Sequence, residues 1–386
     1  MDFAESPEQQ MLRAAVRDVA AGFGHDYYAE VVRSGGTTGE LWEAMGELGF
    51  MGVHLPEEYG GGGAGISELA IVCEETAAQG CPLLLILVSG AICAELIATF
   101  GTDEQKQRWL PGLARSERMA FAITEPDAGS NSHRLSTVAT RDGDTYRLRG
   151  AKTYISGVDE ADRLLVVART GLDESSGRGL LSLFVVDTDA PGLERTPIPV
   201  GLNAPETQFS LFFDDVEVPT SRRLGPEDDG LRVVFRGLNP ERITGAALGI
   251  GIGRYALAKA AGYANDRRVW DVPIGSHQGL AHPLAEAKVQ LELARLMTAK
   301  AAWAHDNEIE AAEAGEAANM AKFAAADAGL SCLDTAIQVH GGNGMALEYG
   351  LVDLWGLARL LRIAPVSREM ILNFVAQHSL GLPRSY

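Results

Sequence analysis

Three patterns in succession predict an α+β chain. A helical N-terminal domain covers 1–118, a central antiparallel β domain 119–228 and a C-terminal four-helix bundle 229–386. Capping boxes ahead of helically spaced apolar residues mark the first part. Short β-branched, aliphatic and aromatic runs, cut by Gly, Asp and Pro, mark the second. Long Ala- and Leu-rich stretches with short joins mark the third. At 386 residues the chain exceeds what one simple core organises, so two or three domains are expected.

The N-terminal helices have explicit start signals. Ser6-Pro7-Glu8-Gln9 is a capping box with proline at the first helical position, and Leu12, Val16, Val19 and Phe23 follow as an apolar stripe. Thr102-Asp103-Glu104-Gln105 repeats the box before Trp109 and Leu110, and Pro111-Gly112 closes that helix. Strands are expected at Thr145–Leu148, Leu164–Ala168, Leu181–Val186 and Thr207–Phe213, with a polar loop from Pro219 to Gly230. The bundle is expected over Glu241–Arg267, Leu280–His305, Ala317–His340 and a last segment near Leu351–His378.

Charge narrows the function. A net charge of −19 argues against nucleic acid or an anionic membrane as partner. No signal peptide is visible at Met1-Asp2-Phe3-Ala4-Glu5, and the most apolar run, Pro82 to Val88, is too short to span a bilayer. Cys73, Cys81, Cys93 and Cys332 lack metal-ligand spacing, so they are expected to be buried, reduced and cytoplasmic. No metal site is expected.

Gly60 to Gly65 satisfies the spacing GxGxxG, but Pro56-Glu57-Glu58-Tyr59 interrupts the strand a dinucleotide site needs. A flexible loop is expected there instead. Gly249, Gly251 and Gly253 lie in a helical pattern and point to close helix packing.

The most informative stretch is Phe121-Ala122-Ile123-Thr124-Glu125-Pro126-Asp127-Ala128-Gly129-Ser130. An apolar run ends on a hydroxyl, turns through Pro126 and Gly129, and ends on a second hydroxyl. Such a turn offers backbone N–H groups and neutral hydroxyl donors, which suit a large flat cofactor carrying phosphate. This stretch resembles the flavin-binding segment of the acyl-CoA dehydrogenase family. Pro56-Glu57-Glu58-Tyr59-Gly60-Gly61, Cys73-Glu74-Glu75 and Phe100-Gly101-Thr102-Asp103-Glu104-Gln105-Lys106 are similar to further signatures of that family, and the order of domains is the same.

The resemblance implies FAD as cofactor. It assigns Phe121, Ile123, Thr124 and Ser130 to contacts with flavin or with the pantetheine of a substrate. Lys152-Thr153-Tyr154-Ile155-Ser156 resembles the second flavin segment, with Tyr154 over a ring face and Ser156 near the reactive nitrogen. The family usually has Trp at the aromatic position, and an Asn-Gly pair often stands where this chain has Gly157-Val158. Arg267, Trp270 and His277-Gln278 match the segment that reaches the cofactor's pyrophosphate in a neighbouring subunit. Gln338-Val339-His340-Gly341-Gly342-Asn343-Gly344 matches the glycine-rich turn receiving the same half. Two chains then build each site, in a homodimer or homotetramer.

The pattern breaks at the base. Most members carry it as the glutamate of Tyr-Glu-Gly-Thr; without gaps from Gly341, that tetrad falls on Ala364-Pro365-Val366-Ser367. Proline accepts no proton, though Ser367 keeps a hydroxyl for the cofactor. A minority of the family uses the glutamate of a Glu-Arg pair at the start of the first bundle helix, where this chain has Pro240-Glu241-Arg242. Helix N-termini favour acidic residues on dipole grounds alone, but the loss at Pro365 points to Glu241 as base, with Arg242 steadying the site and the substrate. Glu348 lies too close to the glycine turn to serve, and Glu125 is expected to hold backbone. Gly356-Leu357-Ala358-Arg359 replaces the family's Arg-Asp-Ala-Arg, and the tail Leu380 to Tyr386 resembles that of a bacterial subgroup.

The resemblance implies α,β-desaturation of an acyl thioester, on coenzyme A or a carrier protein, with electrons passed to an electron-transfer flavoprotein. An oxidase or monooxygenase on the same fold is a second reading. A non-catalytic partner subunit is a third.

Overall fold

The computed structural model describes residues 4–384, so Met1 to Phe3, Ser385 and Tyr386 lie outside the described residues. The N-terminal helices are α1 (Pro7–Ser34), α2 (Gly39–Glu47), α3 (Ile66–Ala78), α4 (Glu95–Phe100) and α5 (Asp103–Leu113), with a π-helical segment at Ile86–Ala94. Both capping boxes form: Ser6 receives the Gln9 N–H at α1 and Thr102 the Gln105 N–H at α5. Pro111 and Gly112 sit inside the last turn of α5 rather than closing it.

The expected flexible loop at 60–65 is instead closed. Gly61, Gly62 and Gly63 donate backbone N–H to Pro56, Gly52 and Leu55, and a Cβ on Gly61 would lie 2.1 Å from the Leu55 carbonyl oxygen. Glycine serves close backbone approach here. Glu74 and Glu75 are equally structural, pairing with Arg13 of α1 and Arg254 of the bundle.

The β domain contains β1 (Met119–Ala122), β2 (Val138–Asp142), β3 (Thr145–Ser156), β4 (Arg163–Leu172), β5 (Gly179–Asp187), β6 (Leu193–Pro197), β7 (Gln208–Pro219) and β8 (Arg223–Leu224). The sheet order is β6-β7-β3-β2-β4-β5-β8, and most pairings are antiparallel. β1 joins parallel to β4, and a single bridge makes β2–β4 parallel as well. One face packs Leu148, Val166, Phe184 and Phe213 together; Leu165, Val167 and Val185 on the other meet the helices.

The bundle begins with α6 (Gly230–Asp266). A small hairpin, β9 (Arg268–Val269) and β10 (Val272–Pro273), leads to α7 (Gln278–Asp306) and α8 (Ala311–His340). The fourth position is split between α9 (Trp355–Leu360) and α10 (Arg368–His378), because Pro365 interrupts and Ser367 restarts the helix as its N-cap. α6 and α8 run parallel with backbones nearly touching: a Cβ on Gly329 would lie 2.3 Å from the Gly249 carbonyl oxygen. Gly251 and Gly253 make comparably tight approaches to Glu74 and Leu291, so close packing accounts for all three glycines. Leu357, where the family has aspartate, is fully buried in the bundle core. The four cysteines are buried and free.

The π-helix links two cores. Ile86, Leu87 and Ala91 pack with the bundle and α3, whereas Ile92, Cys93 and Ala94 pack with the β domain. No helix among the described residues is long and apolar enough to cross a membrane.

Candidate active site

Two of the expected flavin segments are zipped together. The Thr153 N–H donates to the Thr124 carbonyl at 2.9 Å, and Lys152 Nζ donates to the Ile123 carbonyl at 2.9 Å. Lys152 also pairs with Glu125 Oε1 at 2.8 Å, with both side chains buried. Glu125 further accepts from the Ser136 N–H at 2.6 Å and the Thr137 N–H at 3.0 Å. Its carboxyl is held at about 2: Lys152 and these donors outweigh burial, which acts in the opposite direction. Glu125 therefore shapes the turn, as its sequence context suggests, with Lys152 as a partner that local pattern does not announce. A lysine facing into a strand at Lys152, 27 residues from a turn glutamate, was the available signal.

Beside that clamp the backbone is distorted. The β3–β7 register shifts between Lys152 and Ile155, and Tyr154 takes φ +56° with its ring 63% exposed. A left-handed tyrosine presenting an apolar face to solvent is costly unless something covers it. Ser156 is within hydrogen-bond reach of the Gln208 amide, Ser130 is exposed, and Phe121 and Ile123 are half-buried against the cluster that also takes Leu238.

Leu238 leads to Glu241. α6 starts at Gly230, so Pro240 and Glu241 lie well inside the helix and not in its first turn, correcting the expected start. The helix continues through the proline, and Thr244 Oγ1 donates back to the Pro240 carbonyl at 2.9 Å. This correction removes the dipole explanation for Glu241, which acts only at a helix end. Glu241 is half-buried and keeps an accessible face. Its carboxylate has no hydrogen-bond partner among the described residues. Burial pushes its carboxyl up to about 8, against the opposing pull of Arg242 and Lys322. Arg242 Nη1 donates to Asn239 Oδ1 at 2.7 Å, while its buried Nε has no partner.

Pro365 faces the next turn: a Cβ on Gly245 would lie 3.9 Å from its Cδ. The base-loop residues are thus adjacent to Glu241's helix with no carboxylate among them. Ser367 Oγ accepts the Met370 N–H at 3.3 Å, so its hydroxyl also caps α10.

The remaining expected residues gather at the far end of the bundle. Tyr263 stacks on His340 with ring centroids 4.2 Å apart, and Ala264, Ile274 and Val339 form a small core there. This brings Arg267, Trp270 and Gln278 to the same end as Gln338, Gly341 and Gly342. Trp270 is 83% exposed at φ +50°, and nothing lies within 4 Å of a Cβ on Gly341 or Gly342. His277 Nε2 is buried and unpartnered beside Trp270. Open glycines, an arginine, a stranded ring nitrogen and an uncovered indole fit the phosphate and nucleotide half of a dinucleotide.

Comparison with known proteins identifies the family. Sequence models of the acyl-CoA dehydrogenase N-terminal, middle and C-terminal domains match residues 6–117, 120–216 and 228–380. The acyl-CoA dehydrogenase FadE12 of Mycobacterium tuberculosis is 55% identical over 385 residues, covering 100% of this chain and 99% of that protein. The chain belongs to the acyl-CoA dehydrogenase family. It is accordingly an FAD-dependent oxidoreductase of that class. Among solved structures, a glutaryl-coenzyme A dehydrogenase in complex with glutaryl-CoA superposes with a TM-score of 0.92 at 33% identity, covering 100% of this chain and 98% of that one. A glutaryl-CoA dehydrogenase from Mycobacterium smegmatis in complex with FADH2 gives 0.91 at 26% identity, with coverage of 99% and 96%.

Proposed function

We propose that this acyl-CoA dehydrogenase desaturates an acyl thioester between Cα and Cβ with Glu241 as the base. The observation that supports this most is the state of Glu241: a half-buried, raised carboxyl without a hydrogen-bond partner among the described residues, in mid-helix, next to a loop whose usual glutamate is Pro365. A base poised near 8 is matched to proton abstraction in a way an ordinary carboxylate is not.

FAD, when bound, accepts the β-hydrogen as hydride and supplies the redox chemistry. The residues of this chain do the rest. The Thr124–Thr153 and Lys152–Glu125 contacts fix the shelf on which the ring system would lie, Tyr154 would cover one face of it, and Ser130, Thr124 and Ser156 would offer hydroxyls. Glu241 takes the α-proton, and Arg242 steadies the resulting charge. Glu241-Arg242, together with Pro365 in the base loop, supports assignment to the subgroup whose base sits in a Glu-Arg pair.

Glu241 and Arg267 are separated by 26 residues of α6, about 39 Å along the axis at 1.5 Å per residue. No extended dinucleotide reaches that far. The catalytic end of one chain therefore pairs with the nucleotide-holding end of another. α7 carries an exposed apolar stripe, Val289, Leu293, Leu296 and Trp303, on which such a partner could dock. Electron-transfer flavoprotein is the proposed acceptor.

The test is an anaerobic visible spectrum before and after a panel of acyl-CoA thioesters. Bleaching by one of them supports the reading, and its loss in Glu241→Gln fixes the base. Flavin that no thioester bleaches, or that turns over in air without another acceptor, would replace dehydrogenation with a different activity on this fold.

A further inference from the structure

Lys322 is the buried charge the mechanism leaves unused. It stands on α8, 1% exposed, and its ammonium donates to the carbonyl of Val366 in the loop that replaces the usual base. The parallel register of α6 and α8 explains its position. Asn239 lies against Gly315, Gly249 against Ala325 and Gly253 against Gly329, a constant offset that sets Lys322 beside the turn just after Gly245. Side chains on a helix lean toward its N-terminus. The long Lys322 side chain therefore leans back toward the level of Glu241, between α6 and the 364–367 loop. Pro365 abuts Gly245 from the loop side.

We propose that Lys322 is a positioning residue for the base: it ties the Pro365 loop to α6 through Val366 and sets its ammonium beside Glu241, so that the carboxylate can exist in the closed site. The proposal rests on Glu241 as base and extends that reading to a second group. A tether alone does not call for lysine, since a neutral amide would bond the same carbonyl without the desolvation a buried ammonium suffers.

The charges around the pair leave Lys322 the cation that reaches Glu241 from another element. Arg242 is on Glu241's own helix and engaged with Asn239, and Cys93 of the π-helix faces Glu241 as a buried neutral thiol. Around Lys322 are Glu241 and Arg242 from α6, Asp327 on its own helix and Glu369 on α10. Asp327 is itself paired with Arg362 at 2.7 Å and Arg368 at 3.1 Å. Burial lowers Lys322 to about 8, and Glu241 opposes that fall.

The experiment compares holoenzyme with Lys322→Met and Lys322→Arg. The Glu241 carboxyl is titrated by infrared difference spectroscopy, its band identified by its disappearance in Glu241→Gln. Bleaching by the best acyl-CoA is followed over the same pH range. Removing the cation should move the carboxyl's midpoint to higher pH by about one unit or more. Bleaching at pH 7 should then fall about tenfold and recover as pH rises, with Lys322→Arg restoring the wild-type midpoint. An unmoved midpoint in Lys322→Met, with bleaching lost equally at every pH, overturns the proposal and leaves a mechanical tether. If Lys322→Met does not fold, Lys322→Gln carries the same comparison. Wild-type bleaching in Glu241→Gln would sink the base assignment instead, and the infrared midpoint still decides whether Lys322 governs that carboxyl.

Discussion

Replacing Glu241 with glutamine separates two effects of one carboxylate. The first is chemical. A positioned general base contributes about 10²–10⁴-fold, and Pro365 offers no substitute in the neighbouring loop. The rate of flavin bleaching should therefore fall at least about a hundredfold, near 3 kcal/mol of barrier. The second is thermodynamic and opposite in sign. Folding raises this carboxyl from 4.5 to about 8. At roughly 1.4 kcal/mol per pH unit the ionised form would be disfavoured by up to about 5 kcal/mol. Solvent at the accessible face screens much of that, leaving about 2 kcal/mol. Because the folded value lies above the unfolded one, wild-type protein loses this stability as pH rises from 4.5 through 8, and glutamine does not. Urea unfolding at pH 3, below the unfolded value, should give equal stabilities, and at pH 9 the variant should be the more stable by about 2 kcal/mol. A glutamine variant that bleaches at the wild-type rate refutes the base. One that gains nothing at pH 9 refutes the unpaired, buried carboxylate on which the assignment stands.

Tyr154→Gly should relieve the left-handed strain by about 1 kcal/mol and raise the melting point of flavin-free protein, while weakening FAD retention measured by fluorescence on dilution. A variant with unchanged FAD retention would remove Tyr154 from the cofactor shelf. Lys152→Met should cost about 3–5 kcal/mol in urea unfolding, because it leaves Glu125 buried and unpaired. The stability that Glu125 contributes should be lost as pH falls from 4.5 toward about 2, since folding holds its carboxyl low. Glu241→Gln and Arg267→Ala, each inactive alone, should regain activity when co-expressed and purified as mixed oligomers. Failure of mixing to restore any bleaching would refute a site built from two chains.

The sequence was legible wherever structure is local. Capping boxes and the short β runs depend on near neighbours, and both boxes sit as their patterns imply; the α6 glycines announce close packing by their helical spacing, though not the distant partners they meet. What escaped was long-range. The true start of α6 at Gly230 was hidden because proline and glutamate together imitate a helix N-terminus, and only packing of the preceding turns against the β domain carries the helix through. The Lys152–Glu125 and Lys322–Val366 contacts join residues 27 and 44 apart with no periodicity to announce them. The Gly60–Gly65 loop read as mobile because glycine signals freedom in sequence, whereas its backbone is fastened to 52–56.

The π-helical segment at Ile86–Ala94 has a bearing on how this chain tolerates change. Its wider turn delivers residues before it to one core and residues after it to another. A substitution there alters one contact and leaves that handover intact. Deleting a single residue would return the segment toward α-geometry and rotate everything downstream by about 100°. Leu96 would swing away from Gly237 of α6, and the Ser89 and Cys93 contacts to Met119 and Ala120 of β1 would be disrupted. Insertions and deletions between Ile86 and Ala94 should therefore be far rarer among working variants than side-chain exchanges at the same positions.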